Sequence, residues 1–314
     1  MHHPMTILES SLCSGSFELA YATSLSKLAS SPAQQFVRPD YYGPQATWYR
    51  LAHIDALPVA IQVTKDGIVS WISPREIETA RIQQKVKQLL VPLPLPDGAL
   101  NHLPADLAHG FAALSPMVHV ASESLWEALA KGIIRQVITA SQARRVLHQF
   151  IIRFGEAYSY NGRAYYNFPT IERLLRCSLD DFSACGLGFK SKTLLNLAYA
   201  LATDNLESQI RATDLESALK MLQAIKGIGD WTARVALCDF TANWDCHPCD
   251  LAVITWARKY WTTREWPPQA VEFSTSWMQT NGIKTGIITA YLLNFAQGQS
   301  WLDANFQRLV GVNQ

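Results

Sequence analysis

Three features between Met221 and Tyr260 carry groups suited to chemistry. They are the Gly227-Ile228-Gly229 turn, Trp231 just after it, and Asp250, two residues past Pro248 at the head of the run L-A-V-I-T-W-A-R-K. Glycines lack Cβ, so an anion such as a phosphate can approach the backbone N–H groups closely, and a helix starting near Asp230 adds the positive end of its dipole. An indole face stacks on flat, cationic groups for about 0.5 to 2 kcal/mol. A carboxylate in a dry site stabilises a developing cation and orients or deprotonates water. Each feature also has a plainer reading: a helix-to-helix turn, a core tryptophan, and an N-cap aspartate. For Asp250 the two readings are compatible, because a cap at the mouth of a cleft still presents its carboxylate.

Other candidate groups are weaker. Cys246-His247-Pro248-Cys249 has the spacing of a ligand pair, but no second close pair follows, so loop or core thiols suffice. The six cysteines are scattered without a framework, which fits reduced thiols. Lys226 reads as a phosphate or surface contact. Arg135, Arg144, Lys190, Lys192 and Arg234 are further cations that either meet phosphate or are simply solvated.

These groups must be positioned by the elements around them. The clearest hairpin is Pro58 to Thr64 against Ile68 to Ile72, joined through Asp66-Gly67, with short aromatic and β-branched runs at Gly15–Tyr21 and Ala46–Leu51. The region up to about residue 80 therefore reads as an antiparallel sheet. From Pro74 the pattern turns helical, with Ile77, Ile82, Val86, Leu89 and Leu90 on one face, and a proline-rich break follows from Val91 to Asp97. Beyond it nearly everything reads as helix. Ser124-Leu125-Trp126-Glu127 has the form of a capping box, Ser141-Gln142 opens a helix ending at Gly155, and Thr170 and Ser178 open two more. Tyr158 to Tyr166 is a polar, aromatic excursion around Asn161-Gly162 that fits a small hairpin. The fold class expected is α+β: a β-rich domain over 1–110 with a helical segment near its end, packed on an all-helical domain over 111–314.

Composition bounds the rest. The chain has 314 residues, 48% of them hydrophobic, ample for a packed core. A formal charge of only +1 means that any nucleic-acid site is a local patch on a balanced surface. No apolar run reaches the roughly 18 residues of a membrane helix, and the first residues lack a secretory pattern, so a soluble chain without membrane contact is expected.

L-Q-A-I-K-G-I-G-D-W-T-A followed by D-C-H-P-C-D-L-A-V resembles the helix-hairpin-helix DNA glycosylases, specifically their alkylated-base branch of the 3-methyladenine glycosylase II type. The resemblance extends upstream to A-L-A-K-G-I-I-R-Q-V-I-T-A-S-Q-A, N-F-P-T and G-L-G-F-K-S-K. It implies that damaged double-stranded DNA is the partner. Gly227, Ile228, Gly229 and Thr232 would grip its backbone, and Arg135, Gln136 and Val137 would form the minor-groove loop, with Val137 as wedge. Trp231 and Tyr291 would line the base pocket, and Asp250 would be the catalytic residue.

The resemblance also implies that no cofactor is required, and that the backbone carbonyls of Gln223, Ile225 and Ile228 hold a Na+ or K+ ion. Members that also cut the strand carry a lysine just after the hairpin; here that position is Trp231, which implies base excision without lyase activity. Asp245 reads as structural and Asp239 as a surface residue. Departures are His247 where phenylalanine is usual before the proline, Val235 for a pocket aromatic, and Lys284 for the arginine of the C-terminal helix. Two alternatives stay open: a non-catalytic DNA-binding protein of this fold, and an oxidised-base glycosylase with lyase activity. The expected protein is monomeric, and either cytoplasmic in a bacterium, at the nucleoid, or nuclear in a eukaryote.

Overall fold

The computed structural model describes residues 5–6, 12–19, 28–29, 48–64, 66–160, 163–203 and 205–296. Its strands are β1 (Met5–Thr6), β2 (Cys13–Glu18), β3 (Leu28–Ala29), β4 (Trp48–Ile54), β5 (Leu57–Val63), β6 (Ile68–Ser73), β7 (Leu90–Leu93), β8 (Met117–Val120), β9 (Ala157–Tyr160) and β10 (Arg163–Tyr166). Its helices are α1 (Thr79–Leu89), α2 (Ala105–Leu114), α3 (Leu125–Arg135), α4 (Ala140–Phe154), α5 (Ile171–Leu175), α6 (Leu179–Ser183) and α7 (Lys190–Thr203). Then follow α8 (Leu206–Ala212), α9 (Leu215–Gln223), α10 (Asp230–Thr241), α11 (Leu251–Tyr260) and α12 (Ala270–Asn281). A last helix, α13, runs over 285–296.

The main sheet is antiparallel in the order β2-β6-β5-β4. Strand β5 meets β6 as the Asp-Gly hairpin predicts, and β4 turns tightly into β5 through Asp55 and Ala56, both at positive φ (53° and 62°). Ile82, Val86 and Leu89 of α1 pack against Val59, Ile61, Val63 and Trp71 of this sheet. Each such side chain, fully buried, contributes about 1.5 to 3 kcal/mol.

The helical part is not all helical. Strand β8 pairs with β7 and β3, and the excursion at 157–166 forms the antiparallel pair β9-β10, with β1 added on the other edge of β9. Tyr158, Tyr160 and Tyr165 bury their rings against Leu51 and Ala60 of the main sheet, so aromatic packing rather than helix propensity decides that segment. Position 110 falls inside α2, whose Leu107 and Phe111 pack with α11, α12 and α13 in a core of their own. Among the described residues, no helix is long and apolar enough to cross a membrane.

Helix α3 runs through the largest core with every residue from Leu125 to Ile134 buried, two charges included. Ser124 caps it by accepting from Glu127 N–H at 3.1 Å. The return half of the expected capping box is absent, because the Glu127 carboxylate is engaged elsewhere. It takes a two-pronged contact from Arg50 of β4 (2.9 and 2.5 Å), an ion pair from Lys131 (2.6 Å) and the Glu123 N–H (3.0 Å). Burial alone pushes the Glu127 carboxyl up, but attraction from Arg50 and Lys131 outweighs it and holds the group well below the usual carboxylate range. Burial pushes the Lys131 ammonium down, against the pull of Glu127.

Removing Glu127 leaves the buried Arg50 and Lys131 cations together, with only the longer Arg50–Glu123 pair at 3.4 Å remaining. Glu127→Gln should therefore cost about 3 to 5 kcal/mol in urea unfolding. Because the folded carboxyl titrates below its unfolded value of about 4.3, its contribution is complete above about pH 5. It is lost as pH falls from there toward the folded value, and the Gln variant should lack that part of the acid dependence.

Candidate active site

The site is assembled on the α9–α10 hairpin. Asp214 caps α9 by accepting from Ser217 N–H at 3.0 Å, and the helix runs out at Ala224. The chain reverses at Gly227, at φ +96°, where an added Cβ would lie 2.6 Å from the Thr193 side chain. Ile228 is buried and pins the turn to the core. Gly229 caps α10 with extended backbone and no side-chain acceptor, which leaves the first N–H groups of that helix pointing outward. Asp230, in the first turn, is neutralised by Arg234 Nε (2.9 and 3.0 Å) and bonded by Gln223 Nε2 (3.2 Å). Only Gly227 of the two glycines needs its positive φ; Gly229 has open space where a Cβ would be.

A second loop is clamped to this hairpin. Gly132 of α3 faces Thr232 of α10 so closely that an added Cβ would sit 3.1 Å from Thr232 Cγ2. One turn on, Gln136 Nε2 donates to Thr232 Oγ1 (2.8 Å) and to Gly227 O (3.4 Å). Val137 then stands at φ +58° and 91% exposed, and Thr139 starts α4 in a capping box with Gln142. Lys190, buried, donates from Nζ to Ile134 O at 2.6 Å, so it closes the end of α3 rather than facing solvent. Its neighbour Phe189 is 70% exposed, with the Lys190 ammonium 5.8 Å from its ring centroid, a residue the sequence motif G-L-G-F-K left without a role.

Asp250 caps α11: Oδ1 accepts from Ala252 N (3.0 Å) and Val253 N (3.2 Å). Its other oxygen accepts from Trp231 Nε1 at 3.0 Å. One residue thus serves as helix cap and as the partner of the indole that follows the hairpin. Trp231 is half-buried, with the Arg135 guanidinium 5.8 Å from its ring centroid. His247, ahead of Pro248, stacks on Trp244 (5.1 Å, 20°) and donates from Nδ1 to Pro248 O at 2.8 Å. Burial pushes the His247 imidazole down although Asp250 pulls it up, so the ring is neutral at neutral pH and the carbonyl fixes its tautomer.

Several expected site residues stand elsewhere. Tyr291 is closed off from solvent; its hydroxyl donates to Leu93 O (2.8 Å) and accepts from Met117 N (3.3 Å), and its ring packs on Phe111. It offers no ring face to a pocket. The Thr232 side chain is buried under the hairpin, and Arg135 turns inward toward Asp239 at 3.6 Å instead of outward. Asp239 is itself 5% exposed, not a surface residue. Asp245 sits against Gly286, where an added Cβ would meet its Oδ1 at 2.4 Å, at the start of α13, and Lys284 donates to Asp97 O at 2.8 Å. Val235 is buried in α10.

Among the described residues no group of three His, Cys, Asp or Glu could hold a metal ion. Burial pushes the Cys246 and Cys249 thiols up to about 11, so neither is a thiolate at neutral pH. The Ile225 carbonyl accepts from Ile228 N at 3.0 Å. A cleft of about 470 Å³ lies on another side, between α1, α8 and α10, lined by Lys85, Glu123, Arg211 and Phe240; Asp250 and Trp231 are not on its walls.

The hairpin geometry separates its glycines. Gly227→Ala should lose about 1 to 3 kcal/mol in urea unfolding, for left-handed backbone and the clash with Thr193, while Gly229→Ala should stay within about 1 kcal/mol.

No family model matches the chain. Over 115 residues it is 32% identical to the DNA-3-methyladenine glycosylase of Bacillus subtilis, a match covering 36% of this chain and 38% of that protein. Over 105 residues it is 30% identical to DNA-3-methyladenine glycosylase 2 of Escherichia coli, covering 33% and 36%. The matched stretch thus spans less than two fifths of either relative. The 3-methyladenine DNA glycosylase structure from Archaeoglobus fulgidus superposes with a TM-score of 0.71 at 21% identity, over 91% of this chain and 99% of that one. The 8-oxoguanine glycosylase/lyase of Clostridium acetobutylicum with DNA gives 0.61 at 18% identity, over 80% and 88%. The chain has the α+β fold of the helix-hairpin-helix DNA glycosylases, and in sequence it resembles their 3-methyladenine glycosylase II branch.

Proposed function

We propose that the chain is a monofunctional DNA glycosylase that flips alkylated purines of the 3-methyladenine type out of duplex DNA and excises them, leaving an abasic site for base excision repair. The observation that carries this reading is the 3.0 Å bond from Trp231 Nε1 to Asp250 Oδ2. It joins the Asp250 carboxylate to a base-stacking surface, Trp231, which stands at the position where strand-cutting members have an amine. Cleavage of an N-glycosidic bond builds positive charge on the sugar, and Asp250 stabilises it and orients water. Binding and chemistry divide between elements. The Gly227-Ile228-Gly229 turn meets a phosphate at the head of α10 through the N–H groups of its two glycines, the Ile228 N–H being held by Ile225 O. Val137, exposed beside Gln136, fills the hole left by the flipped base.

No cofactor enters the chemistry; a Na+ or K+ ion on the carbonyls of Gln223, Ile225 and Ile228 would bridge hairpin and phosphate. The protein would act as a monomer wherever its DNA lies, at a bacterial nucleoid or in a nucleus. The named relatives and the hairpin's open N–H groups support DNA as partner.

One assay tests the reading. Duplex DNA treated with a methylating agent should break only after alkali. Breaks without alkali would point to a lyase, and intact strands with retained binding to a non-catalytic protein. Asp250→Asn should lower base release by about 10²- to 10³-fold while duplex affinity survives in gel shift. Trp231→Ala should cost roughly tenfold in single-turnover rate, the worth of a stacking face.

A further inference from the structure

The cleft between α1, α8 and α10 lies apart from Trp231 and Asp250, and base excision gives it no task. Its volume of about 470 Å³ is that of a small-molecule site, and it opens where α1, packed on the main sheet, faces the helices. Ile210, Leu215 and Leu237 line it with apolar surface, while Ser122, Thr213 and Asn243 offer polar atoms. Two cations reach it from different elements, Lys85 from α1 and Arg211 from α8.

Both cations are paired, but neither carboxylate depends on its cation. Lys85 Nζ meets Glu123 at 3.2 Å, and Arg211 Nη2 meets Glu207 at 3.3 Å. Glu123 also accepts from the His53 N–H (2.7 Å) and pairs with Arg50 (3.4 Å), and Glu207 accepts from the Leu125 N–H (2.9 Å). Lys85 and Arg211 can therefore turn to another anion without leaving a carboxylate bare, and pairs this open to water hold them only weakly. The Arg211 guanidinium lies 3.9 Å from the centroid of the Phe240 ring, so positive charge and apolar surface already stand side by side. The Cys246 thiol, pushed by burial to about 11, adds no negative charge to the lining at neutral pH.

We propose that this cleft is a second binding site, for a small organic anion whose phosphate or carboxylate head is taken by Lys85 and Arg211 and whose ring-sized apolar body packs on Ile210, Leu215 and Leu237. Burial of that body supplies affinity, and the two cations fix its orientation. No step of base excision passes through the site, so it stands whether or not the glycosylase reading does.

Titration of the full chain with phenyl phosphate and with benzoate, followed by calorimetry and NMR, tests it. At least one should bind saturably below about 1 mM, with shifts at Leu237 and Phe240 and none at the Trp231 indole. Binding of phenyl phosphate alone would assign a phosphate head, and of benzoate alone a carboxylate. Arg211→Gln and Lys85→Gln should each weaken that binding about tenfold, the loss of one charge-assisted contact, with circular dichroism unchanged. Equal affinity for inorganic phosphate or for benzyl alcohol, shifts centred on Trp231, unaltered binding in both variants, or no saturation up to about 10 mM would each overturn the proposal. Base release from methylated DNA, measured separately, tests the glycosylase reading and not this site.

Discussion

The close approach of α3 to α10 at Gly132 and Thr232 is the constraint on which the site depends. A helix interior normally disfavours glycine by about 1 kcal/mol relative to alanine. Here the missing Cβ lets two helices meet where a methyl would already press on Thr232 Cγ2. That spacing brings Gln136 within reach of Thr232 and of the Gly227 carbonyl. The loop at Gln136 and Val137 and the hairpin are therefore tied to each other by side-chain bonds. Val137 can occupy a left-handed conformation because the residues on either side of it are held, by Gln136 and by the Thr139 cap.

Charge inside the protein follows the same helix. From Arg50 on the sheet, through Glu127 and Lys131, to Ser122 beside them, α3 carries a polar row through an otherwise apolar core. The row continues at its end with Arg135 and Asp239. Such groups are expensive to bury, and the compensation is near-complete pairing in a single geometry. The row ties the N-terminal sheet to α3, whose end carries the loop at Gln136 and Val137. Asp250 is stiffened differently: it is bonded by the first turn of the helix it caps, and by an indole from the helix on the far side of the hairpin.

Much of this was legible from residue order, because it is local. Turn glycines, Ser and Thr caps, the Asp66-Gly67 hairpin and the Asp250 cap are decided by residues within four positions of each other. Features set by partners far along the chain were not. Glu127 and Lys131 stand four apart, as an exposed helical pair would, and only Arg50, 77 positions away from Glu127, explains their burial. Tyr291 reads as a pocket aromatic until Leu93 and Met117, on distant strands, take both functions of its hydroxyl. Arg135 reads as a phosphate contact until Asp239 proves to be buried beneath it.

By itself, then, the amino-acid order determined the hairpin, the cap aspartate and the absence of an amine at Trp231, since each is a matter of residue type and short spacing. Tertiary structure decided which of those groups meet. It joined Trp231 to Asp250, turned Arg135 inward and withdrew Tyr291 into the core. Hydrogen bonds and ion pairs across long sequence separations have no periodicity to read; they exist only once packing has set the distances.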